Sequence, residues 1–167
     1  MSFVFNKLSG IGLAFCLILL NIGCSSTKHV LLSINYLEPY CGGARPTIEM
    51  EKDAQTLKPC IRKKVFYVSG KGVVDSVTTN EFGSCKIKLK SGVYNFYEEW
   101  RFKKQSPNGA PLDQFDKACL KTEWAFDFLV LTIDGTTILQ KGTNTISNYC
   151  PHNMPCMLDN FKPPLPE

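Results

Sequence analysis

With 167 residues, 44% of them hydrophobic and 20% charged, the chain is long enough for one domain with its own core plus a targeting segment, and its composition excludes a disordered polymer. A formal net charge of +4 with one run of three basic residues, Arg62-Lys63-Lys64, is too mild for nucleic-acid binding, which needs a clustered cationic face. The run reads as the solvated start of a strand.

Residues 1–23 carry a single charge, Lys7, then an apolar stretch from Ile11 to Leu20, then Asn21-Ile22-Gly23 ahead of Cys24. This is the pattern of an export signal. The apolar run is too short, and too closely followed by Ser25, Ser26, Thr27 and Lys28, for a membrane-spanning helix. Gly23-Cys24 is similar to the end of a bacterial lipobox, in which the cysteine thiol is acylated before cleavage on its amino side. Asn21 stands where leucine is usual, and Leu20 lies one place early. The lipobox implies lipidation at Cys24 and a chain anchored in the outer membrane, each buried methylene adding about 0.8 kcal/mol. No acidic residue follows Cys24 closely, which points to the periplasmic side. Residues 24–28 then form a short tether and 29–167 a single domain.

Along that domain, Val30, Leu32, Ile34 and Tyr36 alternate with Leu31, Ser33, Asn35 and Leu37, predicting a first strand, A. Glu38 to Pro59 reads as a long loop holding a short acidic helix within Thr47–Gln55. Strand B is predicted over Lys63–Val68, a turn at Ser69–Gly72, and strand C over Val73–Thr79. In Ser84–Lys90, strand D, Cys85, Ile87 and Leu89 share one face while Lys86, Lys88 and Lys90 share the other. Ser91-Gly92 turns the chain into strand E, Val93–Phe102. Pro111 is expected to open a helix with Phe115, Ala118, Cys119 and Thr122 on its inner face. Strand F, Ala125–Ile133, is apolar almost throughout and is expected to be covered on both faces. Asp134-Gly135 then turns into strand G, Thr136–Ser147, and a proline-rich tail follows Cys150.

The run Thr79, Gly83, alternating apolar residues to Leu89, then Gly92-x-Tyr94 resembles the signature of carboxypeptidase regulatory-like domains, with Asn80 where an acid is usual and Cys85 where phenylalanine is usual. The resemblance implies an all-β fold: a transthyretin-like (prealbumin-like) seven-stranded antiparallel Greek-key sandwich, here with one short helix between strands E and F. Tyr40-Cys41-Gly42-Gly43-x-Arg45-Pro46 and the ending Cys150…Pro155-Cys156…Pro163-Pro164-Leu165-Pro166 also resemble uncharacterised envelope lipoproteins of Bacteroidota-type bacteria, which implies a location and no activity.

Setting aside Cys16 in the signal and Cys24 for lipid leaves Cys41, Cys60, Cys85, Cys119, Cys150 and Cys156 as disulfide candidates in an exported chain. Their pairing stays open, and Cys85 suggests a cross-link in place of a core aromatic. If the strands alternate in direction, all six lie at one end with both long insertions and the tail, as a stapled loop cap pointing away from the tether. Cys150, His152, Met154 and Cys156 at alternate tail positions form a soft-ligand set suited to copper or zinc; disulfides compete for two of the four.

No catalytic set is legible. His29 and His152 fall at opposite ends, and the histidine set and Tyr-Arg-Gly-Ser ending of hydrolytic transthyretin-like proteins are absent. Glu98-Glu99 reads as a polar strand end, and Tyr94, Phe96, Tyr97, Trp100 and Phe102 as core rather than a sugar platform. The expectation is a non-enzymatic, lipid-anchored envelope interaction module without a cofactor, partnered by the membrane and by an envelope protein or glycan; soft-metal binding at the tail is the alternative.

Overall fold

Alternation organises the molecule from the first strand. A computed structural model describes residues 27–165; the signal, Cys24 and the first residues of the tether lie outside them. In β1 (Thr27–Ser33), Val30 and Leu32 are buried while Leu31 is 73% exposed. In β6 (Ser84–Lys90) the apolar residues point inward and the lysines outward, as the pattern predicts. The two strands pair antiparallel, Leu32 opposite Cys85 and His29 opposite Lys88.

The remaining strands are β2 (Asn35–Tyr36), β3 (Lys58–Pro59), β4 (Lys64–Ser69), β5 (Val74–Thr78), β7 (Gly92–Glu98), β8 (Leu129–Asp134), β9 (Thr137–Gly142) and β10 (Thr145–Ile146). One layer has the order β5-β4-β7-β8-β9. The other consists of the β1–β6 pair and a small sheet ordered β10-β2-β3, with β1 and β2 separated only by Ile34. Val30, Leu32, Ile34, Ile87 and Leu89 from this layer meet Val65, Tyr67, Phe96, Leu129, Leu131 and Ile133 from the five-stranded sheet in one core. The fold is mostly β, a two-layered sandwich with few and short helices, as expected at that level.

Several elements depart from the sequence reading. Strand G is two strands: β9 pairs antiparallel with β8, and β10 crosses to the other layer and runs parallel to β2. The crossing follows Gly142, whose φ is +93° and whose missing Cβ would lie 2.6 Å from the Phe128 carbonyl oxygen. Strand E ends at Glu98, where helix α2 (Glu99–Phe102) begins. Strand F starts only at Leu129 and alternates, Leu129, Leu131 and Ile133 buried and Val130 and Thr132 half-buried; it is not sealed on both faces.

Helix α1 (Ile48–Ala54) forms as predicted, with Thr47 Oγ1 accepting from the Met50 amide at 3.3 Å. The helix expected from Pro111 instead begins later, as α3 (Lys117–Trp124). Asp116 is the stronger cap, its carboxylate accepting from Ala118 N at 2.7 Å and Cys119 N at 2.9 Å. The shifted start buries Leu120 and leaves Ala118 and Cys119 exposed, reversing the expected face.

The turn before β6 is the joint between layers. Asn80 Oδ1 accepts from the amides of Phe82 and Ser84, both at 2.9 Å, which is the work an acidic residue would do at this position. Thr79, only 2% exposed, donates through its hydroxyl to the Cys60 carbonyl and accepts from Lys63 N at 2.8 Å. Gly83 has φ +70°, and a Cβ there would lie 2.8 Å from Ile34 O and 2.9 Å from Cys60 N. Gly83→Ala is therefore expected to lose roughly 2 to 4 kcal/mol, a left-handed backbone cost plus overpacking against rigid backbone. Urea unfolding checks this; a loss below that of a surface substitution would show that the joint yields.

Candidate functional site: the stapled cap and its cleft

Three stretches distant in sequence form a cap at the end opposite Thr27: residues 37–57, residues 99–128 and the tail from 147. Two disulfides tie the first two to the third. Cys41 pairs with Cys150 across 109 residues, and Cys119 with Cys156 across 37. The tail also docks by backbone, Asp116 N donating to Cys156 O at 2.8 Å and Leu158 N to Gln114 O at 3.0 Å. Phe115, Leu120, Met154 and Met157 close over a small core of their own. The cap is thus built on the tail, and the exposed Cys119 is used to strap it.

Cys60 and Cys85 are a correction to the expected set. Both are free thiols, 4% and 6% exposed in the main core, where they pack as small apolar side chains. Burial pushes the Cys60 thiol up to about 11 and raises that of Cys85, so neither is a thiolate. Cys85 fills the position of the expected core aromatic without cross-linking it.

The four tail donors also separate. Cys150 and Cys156 are oxidised with different partners, Met154 is buried in the small core, and His152 lies in a single 3-10 turn. Among the described residues no group of three or more His, Cys, Asp or Glu side chains is arranged to hold a metal. His29 is on the outer face of β1, so the two histidines lie at opposite ends, as the strand count expects.

What the sequence reading missed is a buried ionic network joining sandwich to cap. Glu98 and Arg101 are each 3% exposed. Arg101 donates to Glu123 Oε2 and to the Glu123 carbonyl, both at 2.6 Å, and to the Tyr149 hydroxyl at 3.1 Å. Its Nε approaches Glu98 Oε1 at 3.4 Å, and its guanidinium lies 4.4 Å from the Trp100 ring and 5.0 Å from Phe126. Trp100 Nε1 donates to the other Glu98 oxygen at 3.2 Å. Burial raises the Glu98 carboxyl, while Arg101, Trp100 and the Ser147 amide pull it down by less. Glu98-Glu99 is therefore no solvated strand end; only Glu99 faces water, paired with Lys103 at 2.6 Å. The available signal was the i, i+3 spacing of Glu98 and Arg101 across a strand end.

The aromatic run divides between two faces. Tyr94 and Phe96 join the core, while Tyr97 and Phe102 are half-buried on the outer side of the large sheet, with Phe102 stacked on Phe66 at 4.5 Å.

Between cap and sandwich lies a cleft of about 330 Å³, lined by Tyr36, Pro59, Cys60, Lys63, Ile146 and Asn148 among others. A smaller recess of about 100 Å³ shares Lys63 and Asn148 and reaches Glu98, Trp100 and Met154. Lys63 is at the junction. Its backbone is pinned by Thr79, and among the described residues its ammonium is in no ion pair. Arg62 beside it has φ +51°, a left-handed conformation that costs a non-glycine residue on the order of 1 kcal/mol or more. The cleft therefore offers the Lys63 ammonium beside amide groups and the Tyr36 ring, with the Glu38 carboxylate on its wall already paired with Lys58, a setting for binding a polar or anionic group.

Comparison with models of protein families, with curated proteins and with solved structures finds no match in any of the three. Among the described residues no helix is long and apolar enough to cross a membrane.

Proposed function

We propose that the protein is a lipid-anchored, non-enzymatic module of the bacterial cell envelope, held at the outer membrane through Cys24 and presenting its stapled cap to an envelope protein or glycan that enters the cleft at Lys63. The observation that carries this reading is the cap itself. Three distant segments are fixed around an open cleft and its adjoining recess by two disulfides and a buried ionic network, so the walls are ordered before a ligand arrives and little further ordering opposes binding. The disulfides also fit an oxidising compartment outside the cytoplasm. We further propose a transthyretin-like topology; the layer order β5-β4-β7-β8 facing β6-β1, with a parallel β2–β10 contact, supports it.

Two measurements test the reading. Cell fractionation of Cys24→Ser with a high-salt wash should move the protein from membranes to the soluble fraction, and membrane retention equal to wild type after that wash would remove the anchor. Envelope extract passed over wild-type and Lys63→Glu protein should give a partner held by the first and lost from the second. Equal retention on both, or none on either, would remove the cleft.

A further inference from the structure

The outer face of the β1–β6 pair carries charge that the fold does not use. The register sets Thr27 opposite Lys90, His29 opposite Lys88 and Leu31 opposite Lys86, and all six are exposed. Lys86, Lys88 and Lys90 stand in a row at intervals of about 7 Å, two strand residues apart. No acidic residue shares this face of the two strands, and among the described residues none of the three ammonium groups enters an ion pair. A row of like charges opposes folding slightly, and no ion pair among the described residues offsets it. At the end of the row farthest from Thr27, opposite Lys86, Leu31 is 73% exposed.

The position of the row along the chain supplies the second observation. The chain outside the described residues enters at Thr27, directly opposite Lys90, and Cys24 is three residues earlier. Three extended residues reach at most about 10 Å, close to one Debye length at physiological ionic strength. Acyl chains on Cys24 would therefore hold the Lys90 end of the row within electrostatic range of the lipid phosphates, and the rest of the row, about 14 Å long, reaches them when the domain leans onto this face.

We propose that the outer face of β1–β6 rests on an anionic lipid bilayer, with Lys86, Lys88 and Lys90 against headgroup phosphates and Leu31 in the interfacial layer. The choice of occupant rests on the anchored-module reading. An acyl anchor combined with a basic patch gives a second, electrostatic attachment, and it inclines the domain onto this sheet instead of leaving it upright. Each lysine near an anionic surface strengthens binding about fivefold.

The test compares the full chain carrying Cys24→Ser, which has no acylation site, with the same chain also carrying Lys86→Gln, Lys88→Gln and Lys90→Gln. Both are sedimented with vesicles of phosphatidylcholine alone and of phosphatidylcholine with phosphatidylglycerol. The parent is expected to favour the anionic vesicles, with a preference that salt removes, and the triple variant to lose roughly a hundredfold of it. Circular dichroism establishes that the variant keeps its sheet; should it unfold, amine labelling of the parent on the two vesicles decides, Lys86, Lys88 and Lys90 being protected only on the anionic ones while Lys117 and Lys121 on α3 are labelled alike on both. Equal partition to both vesicles, an unchanged preference in the triple variant, or a preference for a soluble polyanion over vesicles would overturn the proposal. Mass measurement of the wild-type chain tests acylation separately, so an unmodified Cys24 would remove the anchor while the vesicle result still decides the face.

Discussion

Removing both cap disulfides by reduction, or the Cys41–Cys150 bond alone by serine at both positions, is expected to free the cap while the sandwich keeps its hydrogen bonds. The bond closes a span of 109 residues, and the chain-entropy account assigns it about 5 kcal/mol, against about 4 kcal/mol for the Cys119–Cys156 span of 37 residues. The loss falls on the cap for a structural reason. The main core of the sandwich contains none of the four bonded cysteines, whereas Cys156 packs against the small core under the tail. Hydrogen exchange with and without reductant decides the matter. Amides of 37–57, 103–124 and the tail should lose protection while β6, β7 and β8 keep theirs, and binding at the cleft should disappear with the cap. Loss of protection in β6, β7 and β8 together with the loops would show that the bonds hold the sandwich itself.

Arg101→Met is expected to cost roughly 3 to 5 kcal/mol near neutral pH, because it leaves Glu98 buried without its cation and frees Glu123 and Tyr149 from their shared donor. The cost should depend on pH with a definite sign. Burial already raises the folded Glu98 carboxyl above its ordinary value of 4.5, and loss of Arg101 raises it further. A folded carboxyl that holds its proton more tightly than the unfolded one contributes stability below the folded value and loses it as pH rises through that value. The variant should therefore approach wild type on acidification, and urea unfolding at about pH 5 and about pH 7.5 measures the difference. A gap that is constant with pH would mean that Glu98 is not the group left uncompensated. Glu123, partly exposed at 31%, can turn to water and contributes less.

Local pattern was enough for the elements whose two faces meet different surroundings. The alternation of Val30, Leu32 and Ile34, and of Cys85, Ile87 and Leu89, placed β1 and β6 and their buried sides, since a strand in a two-layered sandwich has one dry face and a period of two. Thr47 and the acidic residues after it placed α1. The gathering of Cys41, Cys119, Cys150 and Cys156 at one end followed from counting strands.

The tertiary structure decided whatever depends on which side chains meet across the chain. Cys60 and Cys85 looked like the other four cysteines, but their inward positions made them core thiols. Gly142 turned one expected strand into two strands in different layers, through a close approach to Phe128 that no neighbouring residue announces. The Arg101 network joins β7, α3 and the tail, so its partners lie 3, 22 and 48 residues away. Lys63 belonged to an ordinary basic run until Thr79 fixed its backbone at the mouth of the cleft. A sequence records the periodicity of burial because burial repeats along the strand; it does not record these meetings, because each is set by the packing of segments whose separation along the chain carries no period.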